Sequence, residues 1–260
     1  MRIEDIDTPR TVPGAAEDLL RTLAAAGMHS DGGVLYQSTR RDAYDAALHE
    51  LRRQGHLYGC ICSRREIADS AIAGIDGYVY SGTCRSSIPA SSAVRAWRVK
   101  TESVRMAFDD AIQGHIEQNL ERDIGDFVLM RADGLYAYQL AVVVDDAEQG
   151  ITHVVRGADL LDSTPRQIHL QKLLGLTSPQ YAHLAVAVNA QGQKLSKQTR
   201  AAAIDNDNIA PSLFDALRTL GQMPPSLLRS ASVNDIWAWA LEHWRFEAVP
   251  RVRVVTSLAN

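Results

Sequence analysis

Apolar residues along this chain recur with a helical period in some stretches and with a period of two in others, and the two kinds of stretch alternate. Residues 2–7 read as the end of a strand that carries Glu4, Asp5 and Asp7 into a proline-containing turn. Residues 13–27 have a proline at a helix start, Glu17 and Asp18 in the first turn, Leu19, Leu20 and Leu23 on one face and Gly27 at the end. Ser38 is placed to cap a second helix that runs to Gly55 with Tyr44, Ala47, Leu48 and Leu51 as its apolar stripe. Arg40 with Arg41, and Arg52 with Arg53, fall outside that stripe, as a solvated face or as an RNA patch.

The next stretches switch to short strands. Residues 57–62 predict one, and Ser63 with Glu66 forms a capping box that opens a helix directly after Cys62. Residues 96–99, 104–108 and 127–131 also read as strands, the last turned through Ala132, Asp133 and Gly134 into a hairpin, so the middle of the chain is expected to be antiparallel. Residues 138–146 are an apolar run that periodicity cannot assign. Residues 152–156 predict a strand, and residues 159–163 and 165–174 predict helices. Residues 182–189 alternate with period two, enter a turn at Gly192 and leave through Lys194, Ser196 and Lys197. Two helices are expected at 211–220 and 233–244, the second capped by Ser232, whereas residues 251–255 carry no signal.

Strands alternating with helices, interrupted by an antiparallel piece, predict a doubly wound, Rossmann-like α/β domain with an inserted subdomain. The chain of 260 residues, 46% hydrophobic and 22% charged, is long enough for that plan. The expected division is 1–56 as the first part of the α/β domain, 57–134 as the insertion, 135–200 as the second part and 201–260 as a C-terminal helical segment. A net charge of −4 gives no global basic footprint, so nucleic-acid binding would need a local patch. No apolar run approaches the ~18 to 20 residues of a membrane span and no signal-peptide pattern opens the sequence, so the expected compartment is the cytoplasm. Three cysteines, Cys60, Cys62 and Cys84, cannot form a fully paired disulfide framework. Their clustering in a reducing compartment favours metal over three unconnected buried thiols. Lys194 and Lys197 with Ser196 between them suit a polyphosphate whose charge shifts during reaction, or else form a solvated basic turn.

Six segments taken in order resemble the glutamyl-queuosine tRNA(Asp) synthetases, stand-alone relatives of the class I glutamyl-tRNA synthetase catalytic domain. They are residues 2–7, Cys60 with Cys62, Tyr80 with Cys84, residues 138–146, residues 155–159, and residues 194–198, the last similar to the KMSKS loop. The resemblance implies activation of glutamate by ATP with Mg, and transfer of the glutamyl group to the queuosine base in the anticodon of tRNA(Asp), by a monomer. It implies that Glu4, Tyr138 and Arg156 bind glutamate. Glu4 would meet the ammonium and Arg156 would grip the side-chain carboxylate through its planar fork. It further implies that Lys197 contacts ATP with Lys194 as its companion, and that Cys60, Cys62, Tyr80 and Cys84 hold one structural zinc.

The sequence departs from that family at its start. An Arg-x-Ala-Pro-Ser-type strand and a HIGH-type helix precede the acidic segment in the family, and neither occurs in these 260 residues. The expectation is therefore a weak catalyst that an in-frame upstream extension restores. A non-catalytic, zinc-containing tRNA-binding remnant and the detached core of a glutamyl-tRNA synthetase stand as alternatives.

Overall fold

The structure, a computed structural model, describes residues 1–70, 73–75, 77–89, 93–195 and 204–256. From its start the chain forms β1 (Arg2–Ile3), a 3-10 turn at Thr8–Arg10, α1 (Ala15–Ala25), β2 (Leu35–Tyr36), a 3-10 turn at Gln37–Thr39 and α2 (Arg41–Arg53). There follow β3 (Leu57–Cys60), α3 (Arg64–Ser70), β4 (Ala73–Gly74), β5 (Gly77–Tyr78), β6 (Ala96–Val99), β7 (Arg105–Asp110), β8 (Gly114–Asn119), α4 (Leu120–Asp123) and β9 (Val128–Met130). The remainder is α5 (Tyr138–Glu148), β10 (His153–Gly157), a 3-10 segment at Ala158–Ser163, α6 (Thr164–Leu173), β11 (Gln180–Leu184), β12 (Val186–Val188), α7 (Ala210–Thr219), a 3-10 segment at Ser226–Ser230, α8 (Val233–His243), a 3-10 turn at Phe246–Ala248 and β13 (Val254–Thr256).

Parallel pairing joins β1 to β2, β10 to β11, β11 to β7 and β12 to β13. The middle of the chain is antiparallel, as expected, with β3–β6–β9 in one sheet and β7–β8 at the edge of another. Among the described residues the parallel pairs lie in three separate sheets rather than in one doubly wound sheet. The alternating run at 182–189 is likewise divided, β11 lying between β10 and β7 while β12 pairs with β13. The tail that carried no signal supplies that last strand.

The main core joins α2, the β3–β6–β9 sheet, α5 and α6 through Tyr44, Leu51, Val99, Leu129, Leu140 and Leu170, all fully buried. The unassigned run at 138–146 is the helix α5. Leu140, Ala141, Val142 and Val143 are all buried, and a helix enclosed on most sides has no polar face from which a period could be read. Asp145, also fully buried, accepts from Gln37 Nε2 at 2.7 Å, Arg40 Nε at 2.6 Å and Tyr44 Oη at 2.8 Å, and so ties α2 to α5. Arg40 is thus an internal ion-pair partner, not part of a solvated face. Ser38 does not cap α2; its amide and hydroxyl bond Asp5 at 2.9 and 2.6 Å, and the N-cap is Arg40. Leu19 is 61% exposed, against the expectation for α1. The capping box holds, with the Ser63 amide on Glu66 Oε2 at 2.7 Å and the Glu66 amide on Ser63 Oγ at 3.2 Å. Ser232 caps α8 through the Asp235 amide at 3.2 Å. No helix among the described residues is long and apolar enough to cross a membrane.

Two histidines are built in as neutral groups. His169 faces the carbonyl of Lys100 at 3.0 Å and His183 lies at the junction of β11 and β7; burial is the chief cause that holds each below the ordinary value of 6.5. The unfolded chain therefore takes up protons first as pH falls. Their contribution to stability is complete above about pH 6.5 and is lost as pH drops through the depressed folded values. Thermal unfolding measured from pH 8 to pH 5 should show the midpoint falling below about pH 6.5, with a shallower fall in His169→Gln, whose amide can still donate to Lys100. A midpoint unchanged across that range, or an identical slope in the variant, would contradict this.

Candidate active site

Arg156 leaves the C-terminal half of β10 and is surrounded by acceptors. Its Nε donates to His183 Nε2 at 3.0 Å and its Nη1 to the Tyr138 hydroxyl at 3.3 Å. Nη2 donates to Thr164 Oγ1 at 2.8 Å and Gln167 Oε1 at 2.7 Å, with the Leu160 carbonyl at 3.4 Å. A guanidinium has five N–H bonds, so one Nη1 hydrogen is left without a partner among the described residues. The two-pronged fork expected from the sequence is therefore not open. That hydrogen sits on the nitrogen that donates to the Tyr138 hydroxyl, and Tyr138 is also hydrogen-bonded to Gln167. The structure thus brings Arg156 and Tyr138 together, and a guanidinium N–H without a partner beside a phenol is suited to a carboxylate. Burial, opposed by Arg156 and assisted by the charge of Glu4, keeps the Tyr138 hydroxyl above its ordinary pKa and hence a donor at neutral pH.

Behind Arg156 stands a pair that the sequence did not disclose. His183 Nδ1 meets Asp110 Oδ2 at 2.6 Å, and both side chains are fully enclosed. Asp110 Oδ1 accepts from the amides of Ile112, Gln113 and His183 at 3.0, 2.8 and 3.1 Å. Burial works against the charge, but those amides and His183 hold Asp110 below the usual carboxylate range. His183 sits inside the alternating run at 182–189 as a lone polar interruption, 73 residues from its carboxylate, and no local pattern links the two.

The three carboxylates near the chain start have separate fates. Asp5 holds Ser38, and Asp7 pairs with Arg10 and with Arg131 Nη1 at 2.8 Å. Glu4 is exposed and, among the described residues, accepts only from Arg2 Nη2, at 3.1 Å; Arg2 Nη1 is bound in turn to Asp146 at 2.8 Å and Gln149 at 2.7 Å. Glu4 lines a cleft of about 840 Å³ with Arg2, Asp5, Arg10 and Tyr36.

A second constellation gathers Cys60, Cys62 and Cys84, whose sulfurs all lie within 4.8 Å of one another. Cys62 Sγ and Cys84 Sγ are 3.6 Å apart, and the Tyr80 hydroxyl lies 3.3 Å from Cys60 Sγ and 3.6 Å from Cys62 Sγ. Tetrahedral coordination with metal–sulfur bonds of ~2.3 Å needs sulfurs about 3.8 Å apart, close to the Cys62–Cys84 separation, so this donor set is compatible with a zinc-sized ion. β3 delivers Cys60, the capping box of α3 follows Cys62 directly, and the Cys84 amide donates to the Tyr80 hydroxyl at 3.0 Å. Arg98 lies over the Tyr80 ring at 4.1 Å. Burial and the neighbouring sulfurs push the Cys62 thiol up to about 11, a cost that a bound cation would remove. Burial opposes ionisation of Cys84 too, but hydrogen bonds from Tyr80 and a backbone amide hold it below its ordinary value.

Lys194 follows the turn at Gly192, bridges back to Val188 and forms an ion pair with Asp159. Ser196 and Lys197 lie outside the described residues.

Residues 1–226 match the family of class I tRNA synthetases (E and Q), catalytic domain. A protein of Dechloromonas aromatica named glutamyl-Q tRNA(Asp) synthetase is 60% identical over 257 residues, which span 98% of this chain and 85% of that protein. Its namesake from Aromatoleum aromaticum is 54% identical over 251 residues, 96% of this chain and 79% of that protein. Among solved structures, a glutamate-tRNA synthetase from Elizabethkingia anophelis matches with a TM-score of 0.77 at 22% identity, over 99% of this chain and 61% of that one. A glutamate tRNA ligase from Elizabethkingia meningosepticum, in complex with its amino acid, matches with 0.75 at 23%, over 96% of this chain and 59% of that one. At such identities the two structures speak for the fold.

Proposed function

Because the chain belongs to the class I tRNA synthetase (E and Q) catalytic-domain family, we propose that it activates glutamate with ATP and transfers the glutamyl group to the queuosine base of tRNA(Asp). The observation that carries this reading is the contact of the Tyr138 hydroxyl with Arg156 Nη1, whose second hydrogen has no partner among the described residues, in a chain so similar to proteins of that name. The side-chain carboxylate of glutamate accepts from both. Glu4, held by Arg2, offers its charge to the substrate ammonium. The substrate's α-carboxylate then attacks the α-phosphate of ATP, forming the acyl–phosphate bond as the bond to pyrophosphate breaks. An acceptor hydroxyl of the modified base next attacks the acyl carbon and releases AMP. Lys194 exchanges Asp159 for the phosphates and works with Lys197 to stabilise their developing charge, with Mg bound to the nucleotide.

The second constellation supports a structural zinc held by Cys60, Cys62, Tyr80 and Cys84. Four protein ligands would leave no open position, so the ion would fasten the 57–134 subdomain rather than take part in the reaction. Residues 1–56 and 135–200 form the nucleotide-binding part and 201–260 the helical segment. The protein works as a monomer in the cytoplasm.

Two measurements on protein expressed from its complete reading frame test these readings. Labelled glutamate should enter queuosine-containing tRNA(Asp) only with ATP present; charging of the 3′ end of tRNA(Glu) instead would identify a glutamyl-tRNA synthetase core, and no incorporation would favour the non-catalytic remnant. Arg156→Lys should lower kcat/KM for glutamate in pyrophosphate exchange by about 10- to 100-fold, since one charge-assisted bond is worth ~1.5 to 3 kcal/mol and a lysine cannot keep the surrounding acceptors satisfied. Unchanged glutamate dependence would remove Arg156 from the site.

The metal has its own test. Elemental analysis should find one zinc per chain, and Cys62→Ser should lose it and lower the unfolding temperature, because metal binding free energy is also local folding free energy. Metal-free purified protein, or full retention in the variant, would overturn the assignment.

A further inference from the structure

Resting on the glutamate-binding reading of Arg156, we infer that His183 is a positioning residue for substrate selection. Anchored by Asp110, it fixes the orientation of the Arg156 guanidinium and thereby decides which N–H meets the substrate carboxylate.

The chain of contacts runs in one direction. Three backbone amides, those of Ile112, Gln113 and His183, hold one oxygen of Asp110, so that carboxylate cannot rotate. Its other oxygen receives His183 Nδ1 at 2.6 Å. Arg156 has no acceptor atoms and can only donate, so the 3.0 Å contact between its Nε and His183 Nε2 requires Nε2 to be the accepting, unprotonated nitrogen. The proton of the neutral ring then resides on Nδ1 and points at Asp110. Carboxylate and guanidinium therefore select the same tautomer from opposite sides of the ring, and the enclosed ring has no room for another arrangement.

The consequence for Arg156 follows from its geometry. A planar guanidinium held at Nε and at both Nη2 hydrogens cannot turn about its own axis. Only the Nη1 edge beside Tyr138 remains to meet a ligand. Without the His183 acceptor, Nε would be a buried donor lacking a partner. The guanidinium would rotate to satisfy it, carrying the Nη1 edge away from the Tyr138 hydroxyl. The groups of this cluster come from five elements: Asp110 at the end of β7, Tyr138 at the start of α5, Arg156 on β10, Tyr181 and His183 on β11, and Thr164 with Gln167 on α6. Tyr181 stacks on the His183 ring at 6.1 Å and limits its tilt.

The two amide replacements of His183 separate the proposed role from a merely structural one. In His183→Gln the side-chain amide reaches the position of Nε2 and keeps an acceptor for Arg156. In His183→Asn it reaches only the position of Nδ1 and keeps the donor to Asp110. Pyrophosphate exchange should show the Asn variant with KM for glutamate raised by about 10-fold or more, KM for ATP within about twofold of the parent, and the Gln variant close to the parent. Equal effects in Asn and Gln, or losses that follow ATP rather than glutamate, would overturn the proposal. Nitrogen-15 NMR of arginine-labelled protein provides a readout independent of substrate. A protected Arg156 Nε–H signal should survive in Gln and vanish in Asn. If the parent protein supports no glutamate-dependent exchange while the NMR pattern holds, the functional reading fails and the positioning stands; if the signal is the same in both variants, the positioning fails.

Discussion

A carboxylate removed from water must have each of its oxygens satisfied, and three such carboxylates organise this protein. Asp110, Asp126 and Asp145 are all buried, and each gathers donors from distant parts of the chain. Asp145 collects Gln37, Arg40 and Tyr44 from residues 101 to 108 positions away and fixes α2 on α5. Asp126 accepts from Tyr58, Arg85 and Thr101 and stands beside the thiol cluster, since its neighbour Gly125 bridges to Tyr80. Asp110 takes three amides and one histidine. Removing one partner from such a group costs ~3 to 5 kcal/mol, far more than the partner's net contribution, so these junctions specify the fold even where they add little to its stability.

The chemistry inherits its precision from the same constraint. Glutamate selection needs a cation aimed at a particular point, and a flexible arginine pays conformational entropy to aim. Here the aiming is done in advance: Arg156 is fixed by His183, Thr164 and Gln167, and among the described residues only the Nη1 edge beside Tyr138 keeps a hydrogen without a partner. A neutral His183 suits this role because a protonated ring would lose its acceptor and set two cations against one another. Burial and the adjacent guanidinium both oppose that protonation.

Local chemistry was legible in the sequence wherever partners are near neighbours. The capping box of Ser63 with Glu66, the Ser232 cap and the apolar stripe of α2 all follow from short spacings. The clustering of Cys60, Cys62 and Cys84 was legible from their spacing, whereas the place of Tyr80 beside them and the meeting of Tyr138 with Arg156 follow from resemblance in segment order and not from periodicity. Long-range pairing stayed hidden. Ser38 has the right residue type for a cap but is held by Asp5, and Arg40 looks like a surface charge until Asp145 and Glu148 are placed beside it. β8 escaped notice because Gly114, His115, Glu117 and Gln118 interrupt any apolar alternation; its strand exists because β7 supplies the other edge. The division of the parallel strands among separate sheets is a tertiary fact with no local signature.

The claim on which the account rests is that a substrate carboxylate is shared between Tyr138 and one edge of a pre-aimed arginine. A crystal structure of the protein with glutamate bound tests it most directly. One oxygen of the side-chain carboxylate should lie within hydrogen-bonding distance of both the Tyr138 hydroxyl and Arg156 Nη1, with Arg156 Nε still on His183. Glutamate seated away from Arg156, or bound by an Arg156 that has left His183, would contradict it.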